Sequence, residues 1–152
     1  GKGRRELWLK ENIKKFGLEK NFHLLGQFPI DSIPEFYSYA DALLITLKKE
    51  YIFSLTVPAK LQAYLASGKP ILTMLTGEGS RVIEEAACGY VASSGNYKLL
   101  AQNIITMSEL DEVELMNLGI KAKDYVKTEF DRNKLISQLE NWCIELSQIP
   151  KK

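Results

Sequence analysis

Apolar residues at Leu9, Ile13 and Phe16 recur at intervals of four and three, which predicts an amphipathic helix that stops at Gly17. "NFHLLG" then reads as a short strand. In "FPIDSIPEFY" Ser32 is the expected N-cap and Pro34 sits just inside a short helix reaching about residue 40. The unbroken apolar run "ALLITL" (42–47) predicts a strand buried on both faces. A polar-to-mixed loop, 48–56, leads into a helix opened by Pro58, capped by Thr56 or Val57, and strand "PILTML" (70–75) follows. After the turn "TGEGS" come a helix over 80–88 and a strand "GYVAS". Helices over 96–108, 111–128 and 131–148 close the chain, the last with Leu135, Leu139, Trp142, Cys143 and Leu146 on one stripe.

Short apolar strands alternating with helices require crossover connections, and crossovers give a mainly parallel sheet. The expected fold is therefore a doubly wound α/β domain with helices on both faces and a helical C-terminus. No internal repeat or low-complexity stretch interrupts it, and 152 residues with 45% apolar composition suffice for one sizeable core. In such sheets ligands bind beyond the carboxyl ends of the strands. That directs attention to loops 26–31, 48–57, 76–80 and 93–96.

Loop 48–57 feeds a helix whose first amides are free, a site suited to a phosphate or carboxylate. Lys60 follows one turn later. Positions 60, 63 and 67 share the outward face, while Val57, Leu61, Tyr64 and Leu65 form the stripe for the core. On residue pattern alone Lys60 is either a solvated helix lysine or a ligand for that anion. Gly77 and Gly79 flank Glu78 and permit a tight turn, but the stretch matches neither a dinucleotide fingerprint nor a P-loop. Arg81 and Glu85 have the spacing of a surface ion pair. His23, the only histidine, lies inside the predicted strand without a nucleophile or metal partner at useful spacing, which argues against a triad or a metal site.

Charge narrows the partners. Twenty Lys and Arg oppose nineteen acidic residues, a net charge of +1, so nucleic acid and an anionic membrane surface are not expected partners. Cys88 and Cys143 stand far apart and are expected to be reduced in a cytoplasmic setting. The chain opens on Gly-Lys-Gly without a leader-like or membrane-spanning run, as though a strand had been cut away in front of it.

The order and spacing of "GKG" (1–3) with Arg4, "NFHLLGQFPIDSIPEFYSYADALLITL" (21–47), "PAKLQAYLASGKPIL" (58–72), "GEGSRVIEEAACGYV" (77–91) and "TEFDR" (128–132) resemble one known family. The chain is similar to the C-terminal, nucleotide-sugar-binding domain of GT-B glycosyltransferases of family 4. The resemblance implies a single domain over 1–152, excised from a two-domain enzyme and truncated at its N-terminus. It implies that Gly26, Gln27 and Phe28 hold the base and that Ser54, Leu55, Thr56 and Lys60 lie against the diphosphate. Many family members add two glutamates seven residues apart, the second bonding the ribose; here those positions are Leu55 and Ala63. Either Glu50, Glu78 or Glu85 replaces them, with Glu78 beside Gly79 and Glu85 favoured by loop position, or this member binds its nucleotide differently or has lost activity.

The implied activity of the full-length protein is hexosyl transfer from a nucleotide diphosphate sugar to a hydroxyl, in polysaccharide or lipid-linked glycan synthesis. The isolated chain would be inactive, since a missing N-terminal domain would bind the saccharide or lipid-linked acceptor, and no cofactor is implied beyond the donor. The full-length protein would be cytoplasmic or peripheral at the inner face of the membrane. Two other readings stand beside this one: a nucleotide-sugar 2-epimerase of the same fold, against which the lone His23 speaks, and a non-catalytic α/β interaction module, which the missing glutamates favour.

Overall fold

A computed structural model describes residue 3 and residues 5–148; Gly1 and Lys2 of the "GKG" motif, and Arg4 beside it, lie outside the described residues. The chain forms two compact units, Gly1–Phe36 and Tyr37–Lys152.

In the first unit, helix α1 spans Glu6–Lys15 and buries Ile13. Its C-terminal turn closes through Leu18, whose amide donates to the Ile13 carbonyl at 2.9 Å, and the Leu18 carbonyl in turn accepts from the amides of Asn21 and Phe22. The predicted strand "NFHLLG" does not form. Residues 22–29 carry no regular structure and are exposed throughout, so His23 lies in irregular chain. An apolar run becomes a strand only where a ladder partner takes up its amides and carbonyls, and residues 22–25 join no sheet among the described residues. Ser32 stands immediately before the next helix, as expected. It ends a 3₁₀ turn, Ile30–Ser32, and its hydroxyl donates to the Pro29 carbonyl at 2.8 Å; helix α2 then runs Ile33–Ser38.

The second unit holds a parallel three-stranded sheet in the order β1 (Leu43–Thr46), β2 (Ile71–Met74), β3 (Gly89–Ala92). Helices α4 (Ala59–Ser67) and α5 (Glu78–Ala86) make the crossovers, and α6 (Tyr97–Ser108) packs against β2 and β3. The Rossmann-like α/β arrangement expected from the alternation is therefore present, and helices α7 (Glu112–Glu129) and α8 (Arg132–Ser147) supply the helical C-terminus. The last three helices begin where a short acceptor side chain can cap them. Asn96 accepts from the Leu99 amide, Asp131 from the Lys134 amide, and Asp111 forms a reciprocal capping box with Glu114.

The predicted α4 stripe holds. Leu61 and Leu65 are fully buried among Ile45, Ile71, Leu75, Val82, Ile83 and Ala86, with Val57 and Tyr64 packed at the margin. Helix α7 adds Ala122 to this core, and its close approach depends on two glycines. Gly68 ends α4 in the left-handed conformation at φ 70°, and a Cβ on Gly119 would lie 2.1 Å from its carbonyl oxygen. On strand β1 the expectation of two buried faces fails. Leu43 and Ile45 are buried, whereas Leu44 and Thr46 are exposed, because β1 is an edge strand among the described residues and α6 covers the neighbouring strands instead.

Among the described residues the fully buried Thr73 hydroxyl on β2 makes no hydrogen bond. An unsatisfied buried hydroxyl costs about 1–3 kcal/mol. Thr73→Val keeps the shape and removes that atom, so urea denaturation should show the variant more stable by about 1 kcal/mol; a loss of stability would mean that the hydroxyl has a partner.

Candidate functional site

The three strands run the same way, so their carboxyl ends lie along one edge. The ladder continues one residue beyond them, with the Leu47 amide bonding the Met74 carbonyl and the Leu75 amide bonding the Ala92 carbonyl, both at 3.0 Å. Leu47 and Leu75 are lining residues of a cavity of about 350 Å³ just past that point.

Each strand sends a different chemistry to this cavity. The chain leaving β1 lines it with Lys48, Lys49 and Glu50. Among the described residues these three side chains are exposed and enter no ion pair. The chain leaving β2 adds Thr76, and the chain leaving β3 adds Ser94. These two are tied together, because the Ser94 amide donates to the Thr76 hydroxyl at 3.0 Å.

The remaining wall is a helical turn where the residue pattern predicts only loop. Helix α3, Tyr51–Ser54, lines the cavity with Tyr51, Phe53 and Ser54. A compact turn places it: the Glu50 amide donates to the Lys48 carbonyl at 3.0 Å and the Ser54 hydroxyl to the Tyr51 carbonyl at 2.7 Å. Behind this wall stand the two glycines of the 77–79 turn. A Cβ on Gly77 would lie 2.0 Å from the Ser54 carbonyl oxygen, and one on Gly79 would lie 2.9 Å from the Pro58 ring. The close approach that these glycines permit is thus to the chain's own α3–α4 junction.

The sequence-selected residues divide accordingly. Ser54 lines the cavity; Leu55 and Thr56 are exposed and lie outside its lining. Helix α4 begins at Ala59 behind Pro58, with no side-chain cap from Thr56 or Val57, since a Pro58 ψ of 132° keeps that residue extended. Lys60 is exposed, outside the lining, and without an ion pair among the described residues. Ala63 and Leu55, at the positions of the absent glutamates, are both exposed.

Glu78 and Glu85 are engaged elsewhere. Helix α5 starts at Glu78, two residues earlier than expected, because the Gly77 carbonyl accepts from the amides of Ser80 and Arg81. Arg81 then donates to Glu78 at 2.8 and 3.0 Å and to Glu85 at 2.5 Å. The other Glu85 oxygen accepts from the Tyr125 hydroxyl at 2.8 Å. The Arg81 hydrogen bond, and then that from Tyr125, hold the Glu85 carboxyl below its ordinary range. Partial burial, and then the bond to Glu85, push the Tyr125 phenol up to about 12. Both carboxylates therefore fasten α5 to itself and to α7, and Glu50 is the one carboxylate among the residues lining the cavity.

In the first unit Gly26, Gln27, Phe28 and Ile33 line an open hollow of about 500 Å³. Gly26 has a φ of 84°, and the Phe28 ring rests on Phe36 with centroids 4.5 Å apart. A further apolar cavity of about 270 Å³ lies between β2 and α6, lined by Leu72, Ile104 and Met107. Among the described residues no group of three or more His, Cys, Asp or Glu could hold a metal ion, and no helix is long and apolar enough to cross a membrane.

Compared with known proteins, residues 1–125 match the family model described as glycosyl transferases group 1. The chain belongs to that family. It is also similar to the N-acetyl-alpha-D-glucosaminyl L-malate synthase of Bacillus anthracis, with 27% identity over 128 residues, which are 84% of this chain and 32% of that protein. The chain thus spans about a third of the length of this curated relative. The match takes in the described sheet, α3 to α6 and the cavity, and it ends before α8.

Proposed function

We propose that this chain is the donor-binding half of a glycosyltransferase that moves a sugar from a nucleotide diphosphate sugar to a hydroxyl acceptor, in polysaccharide or lipid-linked glycan synthesis. The observation that carries the proposal is the cavity beyond the carboxyl ends of all three strands, where Lys48 and Lys49 enter no ion pair among the described residues. An unneutralised pair of cations in a concave, partly apolar site suits a diphosphate.

In the reaction the bond between the anomeric carbon and the distal phosphate oxygen breaks. The acceptor oxygen takes that carbon and loses its proton. The departing nucleoside diphosphate gains negative charge, and positioned cations lower the barrier by stabilising that charge as it develops. Lys48 and Lys49 fill this role, and Lys60 adds to it from the first turn of α4. Glu50 takes the place of the absent glutamates as acceptor for hydroxyls of the donor.

Calorimetric titration of the protein with uridine and guanosine diphosphates tests the reading. Saturable one-site binding of one of them, weakened as ionic strength rises, is the expected result. The absence of binding by both would favour a non-catalytic module.

A further inference from the structure

Of the residues lining the cavity, Tyr51 is the least accounted for by a diphosphate. The residue is 80% exposed, and among the described residues its ring meets no other ring and its hydroxyl makes no hydrogen bond. Its backbone, by contrast, is held on both sides. The tight turn at 48–50 precedes it, the Ser54 hydroxyl bonds its carbonyl, and Ser54 is backed by Gly77. A ring on a fixed backbone beside a cavity is a ready surface for a ligand to cover.

The neighbours say what kind of ligand. Leu47, Phe53 and Leu75 make an apolar wall, while Thr76, Ser94 and Glu50 supply hydrogen-bonding groups. A pyranose has the matching character, with C–H faces that lie against an aromatic plane and hydroxyls around its edge. The volume agrees as well: about 350 Å³ is near the lower end of the roughly 300–1,000 Å³ typical of small-molecule sites. It suits a diphosphate with one ring better than a complete nucleotide sugar.

We infer that Tyr51 is a stacking platform for the transferred sugar, making it a residue that separates sugar-bearing donors from the bare nucleoside diphosphate. This rests on the reading of the cavity as a donor site. Lys48 and Lys49 fix the diphosphate, and the Tyr51 ring covers one face of the sugar attached to it.

The test compares wild type, Tyr51→Ala and Tyr51→Phe by calorimetry with UDP-N-acetylglucosamine, UDP-glucose and GDP-mannose, each against its parent diphosphate. Wild type should bind at least one of the three more tightly than its parent, by roughly three- to tenfold, the scale of one aromatic contact. Tyr51→Ala should abolish that gain and leave the parent diphosphate unchanged, while Tyr51→Phe should keep it. Three results overturn the inference: no gain in wild type, a gain that survives Tyr51→Ala, or an equal loss for sugar donor and parent, which would put the base on the ring. If no diphosphate binds wild type at all, the donor-site reading falls together with it.

Discussion

A protein carrying Lys48→Ala and Lys49→Ala together is expected to bind a nucleoside diphosphate roughly thirty- to a hundredfold more weakly than wild type. A hydrogen bond to a charged group contributes about 1.5–3 kcal/mol, and solvent around these exposed side chains brings each toward the lower end of that range or below it. Removing two such hydrogen bonds at once costs about 2–3 kcal/mol of binding. Folding should be unaffected, because both lysines are exposed and neither enters an ion pair among the described residues. The melting temperature therefore serves as an internal control. Lys60→Ala is expected to act in the same direction by more than the roughly fivefold typical of a free surface charge, though by less than the pair. If the double variant binds within twofold of wild type, the cavity lysines are not diphosphate ligands, and an unchanged affinity on Lys60→Ala likewise removes that residue from the site.

Gly77→Ala should produce the largest loss of stability. Two penalties coincide there. The residue has φ 96° and ψ −144°, a conformation open to glycine and costly to residues with a Cβ, and the added methyl would meet the Ser54 carbonyl oxygen at 2.0 Å. Strained backbone costs about 1–3 kcal/mol and overpacking a similar amount, so about 2–5 kcal/mol is expected in denaturant unfolding. Gly95 is the natural comparison, with φ 86° but open space where its Cβ would go. Gly95→Ala should cost only the backbone part, about 1–2 kcal/mol. The difference between the two variants isolates the clash with Ser54. Because the Gly77–Ser54 approach backs the cavity wall, Gly77→Ala should also weaken diphosphate binding under conditions where it remains folded, whereas equal stability of the two variants would mean that the wall yields freely.

Periodicity made much of the second unit legible. The stripe Val57, Leu61, Tyr64 and Leu65 could be read because α4 packs on one side only, and β2 because Ile71, Leu72 and Thr73 are buried together. What failed depended on partners distant in the chain. Residues 22–25 have strand composition without a ladder, and Leu44 is apolar without a cover. Glu78 and Glu85 have the loop position of ligand-binding groups, yet Arg81 and Tyr125 hold them, and Tyr125 is forty residues from Glu85.

The candidate site was legible in position and less so in composition. The rule that ligands bind beyond the carboxyl ends of parallel strands singled out the loops that supply Lys48, Lys49, Thr76 and Ser94. Helical spacing drew attention to Lys60 instead, since a loop has no period by which to rank its residues. Helix α3 is a single turn of four residues, too short to leave a pattern, and it brings Tyr51 and Ser54 to the cavity.

The most direct test of the donor site is amide hydrogen exchange of the protein with and without a saturating nucleoside diphosphate. The prediction is slowed exchange in residues 48–54, 76–77 and 93–95, with 104–115 beside the apolar cavity at α6 unchanged. Unaltered exchange in the first three segments, or protection confined to the last, would contradict it.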